Sequence, residues 1–167
     1  MMKTPDQSDR TTPRNGFTLT ELILATLILS ILAVGSLGYQ YVAARDVRNA
    51  EAQAAAARLA KLVLDGWKGL GGSSDYDPTT WWQTSPAMTP SPIGPAAPDA
   101  LDRSFRVLGR YQVQIDDVHY YLTCFWSEAT EDKPRVLNVA AAWRADYQAG
   151  PLDETAREVR YSAYGSR

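Results

Sequence analysis

The residues best placed to do chemistry lie near the amino terminus, in Arg14-Asn15-Gly16 followed by Phe17-Thr18-Leu19-Thr20-Glu21. Glu21 is the one ionisable side chain in FTLTELILATLILSILAVGSLG, residues 17–38, and everything around it is apolar or nearly so. An isolated acid at the centre of a membrane-spanning helix costs on the order of 3 kcal/mol, and less near an end, so such a carboxylate needs a partner or a proton. Scission between Gly16 and Phe17 would create a new amine four residues before Glu21. A neighbouring molecule, staggered along the same axis, could offer that amine to Glu21 as the missing cation.

The other reactive side chains carry less. One histidine, His119, and one cysteine, Cys124, leave a zinc site of ordinary composition without ligands, and no metal or cofactor is expected. Cys124 has no partner for an intramolecular disulfide and reads as a small buried apolar residue. His119 alternates with the apolar face of its predicted strand and belongs on the more polar face. The pairs Asp116-Asp117, Glu131-Asp132 and Asp153-Glu154 fall where turns are expected, as solvated residues without a catalytic role. No nucleophile motif and no glycine-rich phosphate loop is present. A formal charge of -2 provides no basic field, so no nucleic-acid partner is expected.

Five segments follow from pattern. Residues 1–16, polar and interrupted by two prolines, read as a leader. The 22 residues of 17–38 span roughly 33 Å as a helix, enough to cross a bilayer core. Residues 39–70 turn amphipathic and alanine-rich, with Val47, Ala50, Ala54, Ala57 and Lys61 along one helical stripe. No proline intervenes before Pro78, so one continuous helix is predicted from about Thr18 to Lys68, stopped by Gly69, Gly71 and Gly72. Residues 71–104 form a connection rich in proline, glycine and serine, in which Trp81 and Trp82 are expected to pin the loop to the core.

Residues 105–167 alternate with period two. Tyr111, Val113 and Ile115 share one face. After an Asp116-Asp117 turn, Val118, Tyr120, Leu122, Cys124 and Trp126 share another, which makes a hairpin. Leu137, Val139, Ala141 and Trp143 form a third set, and Val159, Tyr161 and Ala163 a fourth. The expected fold is α+β: a long amino-terminal helix, half transmembrane and half amphipathic, packed on a four-stranded antiparallel sheet.

The segment R-x-G-F-T-L-x-E, residues 14–21, followed by an unbroken apolar run, resembles the class III signal of type IV pilins and type II secretion pseudopilins. The resemblance covers about residues 14–40 in detail and extends to the rest as a pilin-like architecture. It implies that a prepilin peptidase cuts between Gly16 and Phe17 and that the new amino terminus, Phe17, is methylated. Gly16, with the smallest side chain, suits a tight peptidase site. The resemblance also implies that Glu21 guides docking between subunits, and that the partners are the peptidase, other pilin or pseudopilin subunits, an inner-membrane assembly platform and membrane lipid. The implied location is the bacterial inner membrane, in a single pass with the carboxy-terminal domain in the periplasm, followed by incorporation into a filament. Positive charges flank the apolar run on both sides, so orientation rests on the resemblance. RVLNVAAAW and REVRYSAYG are similar to the closing strands of minor pilins and I-type minor pseudopilins, which implies a minor subunit. The single cysteine excludes the carboxy-terminal disulfide loop of many major adhesive pilins, and no calcium loop of the major-pseudopilin type is visible. The alternative is a single-pass, membrane-anchored periplasmic enzyme or ligand-binding protein, with Trp81 and Trp82 at its pocket.

Overall fold

The computed structural model describes residues 16–82, 87–97, 104–128 and 134–165. The leader expected at 1–16, apart from Gly16, and the Glu131-Asp132 pair therefore lie outside the described residues. The chain divides into two compact units, Met1–Asp46 and Val47–Arg167, with helix α1, Leu19–Gly69, contributing to both.

In the first unit every side chain of α1 up to Val42 is exposed, including its leucines and isoleucines. An apolar surface open on all sides is what lipid or other helices cover. Among the described residues, α1 is the one helix long and apolar enough to cross a membrane. The hydroxyls within it are satisfied locally: Thr26 Oγ1 donates to Ile23 O at 2.9 Å and Ser30 Oγ to Thr26 O at 2.8 Å. Such bonds back to the preceding turn allow polar side chains in a medium without water.

In the second unit the helix buries Ala52, Ala56, Leu59, Ala60, Val63, Leu64 and Trp67. These residues recur at helical spacing and form the inner face. The stripe expected from Val47, Ala50, Ala54, Ala57 and Lys61 is not that face; Ala57 is half-buried and the other four are exposed. Alanine occurs on both sides of this segment and does not distinguish them, whereas the bulky Leu59, Val63, Leu64 and Trp67 do. The helix ends in a glycine cap, in which Gly72 N–H donates to Trp67 O at 3.0 Å. Gly71 and Gly72 adopt φ of 69° and 73°, where a side chain would be strained.

After the single helical turn α2, Pro78–Trp81, the sheet contains β1 (Thr89–Pro90), β2 (Arg106–Ile115), β3 (Val118–Ser127), β4 (Val136–Trp143) and β5 (Arg157–Tyr164). The strands pair antiparallel in sequence order, so the meander has five members instead of the expected four, the addition being the two-residue β1. Asp116 and Asp117, at φ 47° and 63°, form the tight β2–β3 turn, of the left-handed type that matches strand twist. The helix-facing residues of β2, β3 and β4 join Trp67, Tyr76 and Val63 in one core. Tyr161, expected to share the inner face of β5 with Val159 and Ala163, remains 39% exposed because β5 is the outermost strand.

Both faces of β3 are buried. The second face is covered by a strap that crosses the sheet. Ser91 N–H bonds to Arg110 O of β2 at 2.9 Å, and Ala96 O accepts from Arg160 Nη2 of β5 at 3.3 Å. Between them Gly94 lies so close to Thr123 that any Cβ would collide with the hydroxyl. Phe105 adds an edge-to-face contact with Phe125 at 5.6 Å. Of the two adjacent tryptophans, Trp82 is half-buried against the core while Trp81 is 71% exposed, so one of the pair anchors the loop.

Candidate functional site

At the amino terminus the first helical bond runs from Leu22 N–H to Thr18 O at 3.1 Å, and Glu21 N–H donates to Thr18 Oγ1 at 3.3 Å. Thr18 is thus the residue that caps α1, with Glu21 at the third helical position. Thr18-x-x-Glu21 is the sequence pattern of a capping box, a signal readable from the sequence that the reading of Glu21 as a membrane carboxylate alone overlooks. A carboxylate in the first turn also faces the positive end of the helix dipole, worth about 0.3–1 kcal/mol. Glu21 therefore sits at the end of the apolar helix, where an acid costs less than at its centre.

Gly16 and Phe17 precede the first turn and are exposed, Phe17 to 86%. Nothing lies within 4 Å of where a Cβ on Gly16 would stand. The bond between them is outside the helical hydrogen-bond ladder, as a peptidase substrate must be. No folded element covers it among the described residues.

The remaining candidates are not brought to this end of the chain. His119 is half-buried in the β2–β3 hairpin, opposite Gln114. Cys124 lies in the core, where burial pushes its thiol up to about 12. Arg144 forks onto Asp146 at 2.9 and 2.6 Å and approaches Asp153 at 3.8 Å. The Arg144 bond holds the Asp146 carboxyl below the usual range, while Asp153 is lowered chiefly by the hydroxyl of Thr155. These contacts organise the β4–β5 connection. A cleft of about 390 Å³ between Arg48 and Glu51 of α1, the Asp116-Asp117 turn and Tyr147 carries both signs of charge; neither Trp81 nor Trp82 lines it. Among the described residues no three histidine, cysteine or acidic side chains gather in metal-binding geometry.

Residues 12–37 match the family model described as the prokaryotic N-terminal methylation motif. The chain carries a prepilin-type signal. The match contains Gly16, Phe17 and Glu21 and ends within α1. Such a signal marks a pilin-like or pseudopilin substrate of a prepilin peptidase. Behind the prepilin-type signal, a helix packed on an antiparallel sheet completes a pilin-like layout. No curated protein and no solved structure matches the chain significantly.

Proposed function

We propose that this chain is a structural subunit, a minor pilin or pseudopilin, of a type IV pilus or type II secretion pseudopilus. Prepilin peptidase removes the leader after Gly16, and Phe17 becomes the methylated amino terminus. Before assembly the protein is held in the bacterial inner membrane by residues 17–38, in a single pass, with its sheet domain in the periplasm. The apolar helix then exchanges lipid for the helices of other subunits, moved by an inner-membrane assembly platform. The chemistry is done to the chain, and its own role is to bind.

The observation that carries this reading is the prepilin-type signal running into a helix whose apolar residues up to Val42 are all exposed. Leucine and isoleucine side chains around a full helical circumference have no use in water; in a bundle each one packs against a neighbour. The lone, buried Cys124 supports minor status, since no disulfide loop closes the domain.

Mass analysis of the mature amino terminus, in cells that supply the peptidase, tests the reading. The expected product begins with N-methylated Phe17, and Gly16→Val leaves the full-length precursor in the membrane because a branched side chain does not fit beside the scissile bond. An intact Met1 on the native chain would favour a membrane-anchored periplasmic enzyme or binding protein, and normal processing of Gly16→Val removes the central support.

A further inference from the structure

The two edges of the sheet differ. Along β2, the strand β1 pairs Thr89 and Pro90 with Gln112 and Tyr111, and the chain continues as Ser91 and Pro92. Prolines at this edge withhold N–H donors and stop further pairing. Along β5 all eight residues pair with β4 without a bulge, and among the described residues no strand pairs with the far side. β5, REVRYSAY, contains no proline, glycine or lysine. Proteins ordinarily blunt a regular free edge with one of these devices or with outward charge. The one exposed charge of β5 besides the Glu158–Arg160 pair, Arg157, stands at the first position, far from Ser162, and Arg160 itself is drawn over the Phe125 ring at 5.4 Å and onto Glu158 at 2.6 Å.

Beside this edge lies a groove of about 520 Å³ on the outer sheet face, lined by Phe105, Val136, Asn138, Ser162, Ala163 and Tyr164. Asn138 is only 4% exposed. Its Oδ1 accepts from Ser162 Oγ at 2.5 Å, whereas its Nδ2 is buried with no partner. A buried amide donor left unpaired is costly, and native chains rarely keep one that nothing completes. On the same face Ser162 is the short side chain between Arg160 and Tyr164, which leaves a notch leading from the open edge towards Asn138.

We propose that β5 is a docking edge, to which an extended segment of a different filament subunit adds as a further strand, setting a hydrogen-bond-accepting side chain across Ser162 onto Asn138 Nδ2. The proposal rests on the filament-subunit reading above. Main-chain bonds along β5 supply affinity, and the Asn138 notch supplies selectivity and register. An added strand lies about 4.8 Å beyond β5 and so roughly 9.6 Å from β4, a span that a Gln or Glu side chain opposite Ser162 covers together with the Asn138 side chain that leans towards it. A second copy of this chain is a poorer occupant. Antiparallel pairing of β5 with itself requires a twofold axis that reverses one molecule relative to the other, whereas the subunits of a filament share one direction.

Photocrosslinking in assembling cells tests this, with the full-length chain carrying a photoreactive phenylalanine at Tyr164 or, as control, at Asp117. The expected adduct forms from Tyr164 and not from Asp117, and mass analysis identifies its partner as another protein with its own prepilin-type signal. Asn138→Leu removes the unpaired donor together with the bond from Ser162, two opposed effects that should leave the thermal midpoint little changed, yet it should lower the adduct about tenfold. If that variant loses stability, Ser162→Arg decides, since it fills the notch from an exposed position and should lower the adduct to the same extent. The proposal is overturned by no adduct at Tyr164, by an adduct joining two copies of this chain, or by one that Ser162→Arg leaves intact. Cleavage after Gly16 is read in the same samples: normal cleavage without an adduct overturns the docking edge alone, and an uncleaved chain overturns the filament reading as well.

Discussion

Tyr147 Oη donates to Asn49 Oδ1 at 2.7 Å and joins two residues 98 positions apart in the chain. Tyr147 holds a left-handed φ of 62°, a conformation that costs a non-glycine residue about 1 kcal/mol and persists only where its surroundings impose it. Three residues later, Gly150 N–H donates at 2.8 Å to the hydroxyl of Tyr121, which lies on the opposite face of the sheet from the core residues Tyr120 and Leu122. The β4–β5 connection therefore clasps the sheet, bound to the helix on one side and to β3 on the other.

This clasp gives a measurable coupling. Tyr147→Phe should destabilise the domain by about 1 kcal/mol, and Asn49→Ala by a similar amount. The double variant should cost little more than either single one, since both remove the same bond. Denaturant unfolding of the full chain in detergent measures all three. Fully additive losses would show that the two side chains do not act on each other.

At Glu21 two roles can be separated. As one half of a capping box, it can be replaced by glutamine and not by alanine. As a charge meeting the amine of Phe17 on a neighbouring subunit, it can be replaced by neither. We expect insertion and cleavage after Gly16 to survive in both Glu21→Gln and Glu21→Ala, and incorporation into sheared filaments to fall sharply in both. Filaments that accept glutamine and refuse alanine would assign Glu21 to the cap. Thr18→Ala, which removes the capping hydroxyl for about 1 kcal/mol, should then reproduce the alanine phenotype.

Alkaline pH should expose the core. Burial pushes the Cys124 thiol from its usual 9.0 up to about 12, and burial chiefly raises Tyr76 and Tyr120 from 10.0 to about 12; Tyr111 shifts in the same direction. In each case the folded value lies above the unfolded one, so the stabilisation is complete below the unfolded value and declines as pH rises through the interval between them. The domain should be indifferent to these groups at neutral pH and lose stability progressively above pH 9 to 10. Thiol labelling of the buried Cys124 should rise in one step with loss of the folded circular-dichroism signal. Rapid labelling of Cys124 at neutral pH in the folded protein would contradict its burial.

The prepilin-type signal was legible in the sequence because it is a linear pattern: a glycine, an aromatic, an acid and an apolar run, each defined by its neighbours along the chain. The inner faces of β2, β3 and β4 were legible too, since alternation has a period of two and their bulky residues mark the side that must leave water. The meander order followed from the tight Asp116-Asp117 turn and from the polar loops that separate the later alternating sets. Alanine spacing could not decide which face of residues 47–69 turns inward, because a methyl group gains little by burial and fits either side; the sheet decided it by accepting Leu59, Val63 and Trp67. Nor could pattern distinguish Trp81 from Trp82, reveal that a strap covers the far face of β3, or place Tyr161 on an open edge. Those outcomes depend on contacts between segments far apart in the chain, and a residue's local sequence carries no record of what will stand opposite it. The unpaired amide of Asn138 is the extreme case, an ordinary polar residue in sequence that becomes informative only once Phe125 and Ser162 flank it on the neighbouring strands.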